Sequence, residues 1–134
     1  MKFAGLSLLA GMGSAAAKLP NATLGPEKAK LTKEAFGDLR IFFEGPTDQL
    51  KSMTAGSLLL KPGMTPHPPH QHPEEELLIV KDGTVETLQN GKASRLGPGS
   101  IIFHSSNDLH NIRNAGTTPA TYHVIQWRTR DAVK

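Results

Sequence analysis

The stretch GMTPHPPHQHPEEELLIVKDG, residues 63–83, concentrates side chains that commonly bind metals. It places His67, His70 and His72 within six residues, and three consecutive glutamates follow after one proline. Side chains two residues apart on an extended strand project to the same face, so His70 and His72 can point together. Glu76 begins the next extended run after the proline bend and can reach the same point. The stretch therefore predicts a metal site built from these three side chains.

A second stretch, GSIIFHSSNDLHNIRN at residues 99–114, supplies a fourth candidate ligand. His110 begins a predicted strand after a polar turn, where a neighbouring antiparallel strand can bring it beside the first three ligands. The chain contains no cysteine, which excludes thiolate sites, so any metal must be held by nitrogen and oxygen. Three imidazoles and one carboxylate suit Fe, Mn, Co, Zn, Ni or Cu and disfavour Ca and Mg. We therefore expect one divalent transition metal.

Around these stretches, short apolar runs alternate with turn signals, which predicts an all-β fold. Asp-Gly at 82–83 and Asn-Gly at 90–91 favour the positive φ angles of tight hairpin turns. About seven short strands at close spacing are typical of a β-sandwich or barrel. The predicted strands are 39–44, 53–61, 77–81, 84–89, 100–104, 110–114 and 120–127.

Composition limits the function classes. A chain of 134 residues with 37% hydrophobic and 20% charged content fits one small domain. The net charge is +3, but the basic residues are scattered and aromatic residues make up only 5%, so we expect no nucleic-acid partner. Thirteen glycines and ten prolines interrupt any long helical pattern, which argues against a helical bundle.

The N-terminus has the pattern of an export signal. Lys2 precedes an apolar run at residues 3–13, and alanines at 15–17 offer a signal-peptidase site, so we expect cleavage after Ala17. The run is too short to span a bilayer, which takes about 20 residues. We therefore expect an exported protein, periplasmic or secreted, without stable membrane insertion. The alternative is a buried N-terminal helix, which the glycines in the run would weaken.

The predicted organisation has four parts. Residues 1–17 form the signal peptide, and residues 18–38 form an irregular arm with a short helical turn around 27–33. Residues 39–128 form the β-barrel domain, and residues 129–134 form a C-terminal tail.

Two motifs in this chain resemble those of the cupin family. Gly63-x6-His70-x-His72-x3-Glu76-x6-Gly83 looks like the first cupin motif with one extra residue after the first glycine. Gly99-x5-Ser105-x-Asn107-x2-His110-x3-Asn114 looks like the second, with Ser105 in place of the usual proline and Asn107 in place of the usual glycine. Asparagine tolerates the left-handed conformation of glycine, so we expect the turn to persist. The resemblance covers about residues 39–127.

The resemblance implies a cupin-type double-stranded β-helix, which is a jelly-roll barrel. It also implies that His70, His72, Glu76 and His110 are the metal ligands, and that Asn114 has a structural role. Cupin activities include dioxygenases, isomerases, decarboxylases and lyases, alongside sensors and ligand-binding domains, and the fold alone does not choose among them.

The remaining histidines are candidates for proton transfer. His104 and His123 can serve as catalytic groups if they face the pocket, although a satisfied histidine within a strand is the simpler interpretation. His67 lies among prolines and is interpreted as a solvated residue on the rim, or alternatively as a spare acid–base or gate residue. In the last strand, the face formed by His123, Ile125 and Trp127 is predicted to line the barrel.

Three functional hypotheses follow. The first is a metalloenzyme that acts on a small oxygen-containing substrate, as a dioxygenase, isomerase or lyase, with Glu76 able to leave the metal and act as a base. The second is a binding or sensing module in which the metal anchors a small ligand. The third is a metal-scavenging Pro/His tract that does not need His110. Uncovered strand edges favour pairing, so we also expect a homodimer.

Overall fold

The computed structural model describes residues 17–131, and these residues are almost entirely β-structure. Residues 1–16, which carry nearly all of the predicted signal peptide, and residues 132–134 lie outside this range. A 3₁₀ turn at Pro26–Lys28 precedes the first strand. The strands are β1 Lys30–Glu34, β2 Gly37–Gly45, β3 Leu50–Leu60, β4 Glu75–Asp82, β5 Val85–Gln89, β6 Lys92–Leu96, β7 Ile101–His104, β8 His110–Asn114 and β9 Ala120–Thr129.

Two antiparallel sheets enclose the core. The larger sheet has the order β1-β2-β3-β9-β4-β7, and the smaller has the order β6-β5-β8. Several strands that neighbour each other in the sheets are distant in sequence, such as β3 and β9, β4 and β9, and β5 and β8. This is the connectivity of a jelly roll rather than a meander. The hydrophobic residues with less than a twentieth of their surface exposed form the core and are Phe36, Leu39, Leu58, Leu60, Leu78, Val80, Val85, Ile102, Ile112, Ala120, Tyr122 and Val124. The all-β prediction is confirmed.

Two strands were not predicted, and both are polar. β1 lies within the arm expected to be irregular and pairs with β2, while the expected helical turn is limited to Pro26–Lys28. β6 follows the Asn-Gly hairpin and pairs with β5. Both strands are mostly exposed edges of their sheets, so their sequences lack the alternation of apolar and polar residues that identifies a half-buried strand.

Two turns have backbone conformations that explain the residues found in them. Asn107 has a φ of 61°, so the asparagine in the second motif adopts the left-handed conformation expected of the usual glycine. Gly83 has a φ of 85°, and a Cβ there would lie 2.7 Å from the Cα of Ala120. Only glycine satisfies both the backbone conformation and the close approach of β9 at this position.

The segment between β3 and β4, residues 61–74, lies along β8 rather than projecting into solvent. In this segment, the amide of Gly63 donates to the carbonyl of Asn114, and the carbonyl of Met64 accepts from the amide of Asn114. His70 and His110 exchange backbone hydrogen bonds in an antiparallel bridge. This pairing brings the two cupin-like motifs together. Within residues 17–131, no helix has the length and apolar character needed to cross a membrane.

Candidate metal centre

Five side chains from four parts of the chain converge between the two sheets. His70 and His72 come from segment 61–74, and Glu76 comes from the start of β4. His104 ends β7 and His110 begins β8. Glu76, His104 and His110 are each at most 4% exposed.

The four predicted ligands come together with their donor atoms facing one another. The Nε2 atoms of His70 and His110 lie 3.1 Å apart, and Nε2 of His110 lies 3.3 Å from Oε2 of Glu76. Nε2 of His72 lies 3.6 Å from Oε1 of Glu76. One donor atom from each of His70, His72 and His110 can be enclosed within 4.8 Å, which is compatible with a single ion between them.

Hydrogen bonds to the other ring nitrogen set the orientation of two ligands. Nδ1 of His72 lies 3.0 Å from the carbonyl oxygen of Glu74, and Nδ1 of His110 lies 2.9 Å from that of Asp108. A carbonyl only accepts, so each Nδ1 donates and each Nε2 can present its lone pair to a metal. The carboxylate is also held, because Nε2 of Gln126 donates to Oε1 of Glu76 at 2.8 Å.

The cluster favours an ionised carboxylate among mostly neutral imidazoles. Burial raises the pKa of Glu76, but the hydrogen bond with His110 and the charges of His110 and His72 outweigh it and hold the pKa at about 2. Burial, reinforced by His67 and His110, lowers the pKa of His70 to about 3. Burial also acts to lower the pKa of His110, but its hydrogen bond to Glu76 and the negative charge there raise it overall. A metal would replace the proton between His110 and Glu76.

An unpartnered nitrogen supports the fit of a cation. Among the described residues, the buried Nε2 atom of His72 has no hydrogen-bond partner. A neutral ring that donates from Nδ1 leaves this nitrogen with a lone pair, 3.6 Å from Oε1 of the ionised Glu76. The residues therefore fit a transition metal of the nitrogen-and-oxygen class predicted from the sequence.

His67 is part of the cluster, contrary to the interpretation of a solvated rim residue. It is 7% exposed, and its ring stacks on that of His70 with the ring centres 3.7 Å apart. Nδ1 of His67 lies 2.9 Å from the carbonyl of Pro68, to which it can donate. The pairing of this segment with β8 on either side of His67 holds it against the barrel.

His104 also faces the cluster. It is 2% exposed, and its ring stacks on that of His110 at 4.1 Å with an angle of 13° between the planes. Its Nε2 lies 3.9 Å from Oε2 of Glu76, and it forms a second potential metal-holding group with Glu76 and His110. Burial, followed by the charge of His110, lowers the pKa of His104 to about 4.

His123 points away from the centre, so the prediction that it lines the barrel is wrong. It is exposed on the outer face of β9, with Ile125 and Trp127 on the same face. The inner face consists of Tyr122, Val124 and Gln126. Both faces of this strand are largely apolar, so alternation alone does not indicate which one is inside. This geometry removes His123 from the candidate catalytic groups.

Sequence reasoning missed Gln126 and Gln89. Gln126 lies directly opposite Glu76 in the pairing of β4 with β9, and Gln89 ends β5, where its amide approaches His104. An amide in an otherwise apolar strand is the available signal for Gln126, because a buried amide needs a partner. The structural role implied for Asn114 fits the structure, since its amide donates to Leu60 and Thr118.

Comparison with known proteins is consistent with this arrangement. The family model of the cupin domain, Cupin_2, matches residues 56–126, which is just over half of the chain. The chain belongs to the cupin family. This match includes β4–β8, the second half of β3, most of β9, and all four predicted ligands.

Solved cupin structures show the same fold at low sequence identity. An RmlC-like cupin from Shewanella frigidimarina has a TM-score of 0.67 at 14% identity, covering 84% of this chain and 95% of that one. A predicted oxalate decarboxylase from Thermotoga maritima has a TM-score of 0.66 at 17% identity, covering 79% and 98%. The polyketide cyclase RemF from Streptomyces resistomycificus has a TM-score of 0.66 at 17% identity, covering 81% and 80%.

A curated enzyme shows a more local similarity. Dimethylsulfoniopropionate lyase DddQ from Ruegeria pomeroyi is 44% identical over 48 residues, which is 35% of this chain. The chain spans about a quarter of the length of that enzyme, since the match covers 24% of it.

Proposed function

We propose that this cupin is a metalloenzyme that holds one divalent transition metal through His70, His72, Glu76 and His110. Its substrate is a small oxygen-containing molecule, and its reaction is of the lyase, isomerase or dioxygenase type. The observation that carries the proposal is the convergence of these ligands on an ionised, buried carboxylate, with Nε2 of His72 unpartnered within residues 17–131.

The groups around the ligands favour an enzyme over a binding module. A bound metal supplies a Lewis acid that polarises a substrate oxygen. Proton transfer then needs further titratable groups beside the ligands, and the rings of His67 and His104 stack on those of His70 and His110. His67 donates from Nδ1 to Pro68 and so can accept a proton at Nε2. A module that merely anchors a ligand has no need of two additional buried histidines.

Lyase chemistry is the reaction type we favour among the three. The local match to DddQ, an enzyme named as a lyase, supports it, although the match covers a small part of that enzyme. Removal of a proton next to a carboxylate requires a base and a stabiliser for the resulting negative oxygen. We propose His67 as the base and the metal cluster as the group that binds the oxygen.

The first test is elemental analysis of untagged protein comprising residues 18–134, beside His110→Ala and His123→Ala variants. We expect about one equivalent of Fe, Mn, Zn, Ni or Cu in the parent and in His123→Ala, and little in His110→Ala. Circular dichroism checks that the variants are folded. Metal retained by a folded His110→Ala variant would instead support scavenging by the Pro/His tract.

The second test is turnover by the metal-loaded protein on a panel of small carboxylates with a leaving group at the β position, followed by absorbance of the unsaturated product. We expect saturable turnover that His67→Phe reduces. Saturable binding without turnover of any lyase, isomerase or oxygenase substrate would support the binding module.

We further propose that the protein is exported and forms a homodimer. N-terminal sequencing of protein expressed from the full chain should find Lys18 first in the periplasm or medium. Pairing is supported by the exposed apolar side chains on and beside edge strand β7, where Ile101 is 66% exposed, Phe103 48% and Leu109 37%.

A further inference from the structure

We propose that Gln89 holds the ring of His104 in the tautomer that carries its proton on Nε2. His104 then donates a hydrogen bond to an anionic oxygen of the bound substrate, and it is not a metal ligand. This inference deepens the proposed function, on which its substrate part rests. The tautomer itself is a property of the protein alone.

The orientation of the Gln89 amide is fixed by a backbone group. Its Nε2 lies 2.7 Å from the carbonyl oxygen of Phe103, which can only accept a hydrogen bond. The nitrogen end of the amide must therefore face that carbonyl. The same Nε2 lies 3.1 Å from Nδ1 of His104, so its second hydrogen is available to that ring nitrogen.

This contact determines where the proton of His104 lies. A ring nitrogen that accepts a hydrogen bond cannot also carry a hydrogen, so a neutral His104 carries its proton on Nε2. Because Nδ1 accepts from Gln89, the ring holds a single proton and is neutral. His72 and His110 show the opposite arrangement: each carries a proton on Nδ1, because that atom donates to a backbone carbonyl oxygen.

The Nε2–H group of His104 is directed at the cluster. Within the described chain this buried nitrogen has no hydrogen-bond partner, and Oε2 of Glu76 is 3.9 Å away, too far for a hydrogen bond. The ring stacks on that of His110, a proposed metal ligand, and with this tautomer its Nε2 offers a proton rather than a lone pair. A neutral donor in a buried site next to a cation selects an anionic oxygen, such as a carboxylate or enolate.

The tautomer is tested by two-bond ¹H–¹⁵N correlation spectra of metal-free protein labelled at histidine. We expect the proton-bearing shift at Nε2 of His104 and the lone-pair shift at its Nδ1, with the opposite pattern for His72. Gln89→Glu replaces the donor with a carboxylate, which can accept from Nδ1–H, so it should reverse the pattern of His104.

The matched control is Gln71→Glu. The amide of Gln71 also donates to a backbone carbonyl beside the site, that of Asn107 at 2.8 Å, and the substitution adds the same charge. It should leave the His104 pattern unchanged. A proton on Nδ1 of His104 in the parent protein, or a pattern that Gln89→Glu does not alter, would overturn the inference.

The donor role is tested with acetate as a probe for an anionic oxygen. His104→Phe should retain about one equivalent of metal, while its affinity for acetate, measured by calorimetry on zinc-loaded protein, should fall about tenfold or more. Loss of the metal in a folded His104→Phe protein, or unchanged acetate affinity, would overturn the donor role. A parent protein that binds no metal would overturn the proposed function, while the spectra would still decide the tautomer.

Discussion

The two faces of β9 differ in what they contact and not in how apolar they are. The inner face presents Tyr122, Val124 and Gln126, which lie opposite Val80, Leu78 and Glu76 of β4. The outer face presents His123, Ile125 and Trp127. The inner face combines close packing with one amide that holds a metal-site carboxylate, whereas the outer face is a largely apolar surface. Function on this strand is therefore marked by the polar residue inside and not by the histidine outside.

The two faces of β9 should differ most in how much stability the protein loses when an aspartate is introduced on each face. Val124→Asp puts a carboxylate at a position that is 1% exposed, and an unpaired charge there should cost more than about 4 kcal/mol and prevent stable folding. Ile125→Asp points outward and should cost about 1 kcal/mol. Urea denaturation followed by circular dichroism measures both. Equal losses would mean that the faces are not distinguished as described.

The next largest difference between the two faces of β9 concerns the affinity for the metal. Gln126→Leu removes the hydrogen bond to Glu76 while preserving the size of the side chain, and it should weaken metal binding about tenfold to a hundredfold. His123→Leu, on the outer face of the same strand, should leave the affinity for the metal unchanged. Competition with a chromogenic chelator measures both variants, and a larger effect from His123→Leu would contradict the assignment of the faces.

The histidines inside the barrel should make the metal-free protein sensitive to acid. His70 and His104 have pKa values near 3 and 4 when folded, below the ordinary 6.5, so unfolding takes up about two protons at pH 5. This contribution to the free energy of unfolding is complete above pH 6.5 and is lost as the pH falls from 6.5 towards 4. His110 has the opposite sign, because its raised pKa stabilises the fold below 6.5, but it is protonated in both states at pH 5.

Measurement of the unfolding free energy between pH 4.5 and 7 tests this expectation. His104→Phe should reduce the proton uptake at pH 5 by about one. A stability that is independent of pH over this range would show that the buried histidines are protonated in the folded protein.

The smallest expected effect on stability lies on the outer surface. Ile101→Lys changes an exposed side chain and should shift the free energy of unfolding by no more than about 0.5 kcal/mol. If the outer surface mediates pairing, this charge should convert a dimer to a monomer in size-exclusion chromatography with light scattering. Lys51→Glu, exposed on the distant part of β3, is the matched surface control. A parent protein that is already monomeric would end the homodimer proposal.

Much of the fold and the ligand set could be predicted because the signals were local. The Asp-Gly and Asn-Gly turns and the strand patterns between them depend on neighbouring residues. The convergence of His70, His72, Glu76 and His110 followed from the spacing within two motifs, and the structure brings these side chains together. The all-β class and the resemblance to cupins are both confirmed.

What the sequence could not predict depends on contacts between distant segments. β1 and β6 are exposed strands whose partners, rather than their own composition, make them strands. The orientation of β9 is set by its register with β4, and a shift of one residue would turn His123 inward and Gln126 outward. The burial of His67 and the contact of Gln89 with His104 likewise require the segments to be assembled first.

The pairing of segment 61–74 with β8 also has a consequence for the lifetime of a bound ion. Two ligands lie on this segment and one lies on β8, and the backbones of His70 and His110 are joined by hydrogen bonds of 3.1 and 3.0 Å. The carbonyl of His72 also accepts from the amide of Asn107 at 2.8 Å. Opening of this backbone ladder would separate His70 and His72 from His110 and release an ion held between them. Its dissociation rate should therefore follow the local opening of the segment, as seen by amide hydrogen exchange at His70 and His110, rather than the strength of the metal–ligand bonds alone.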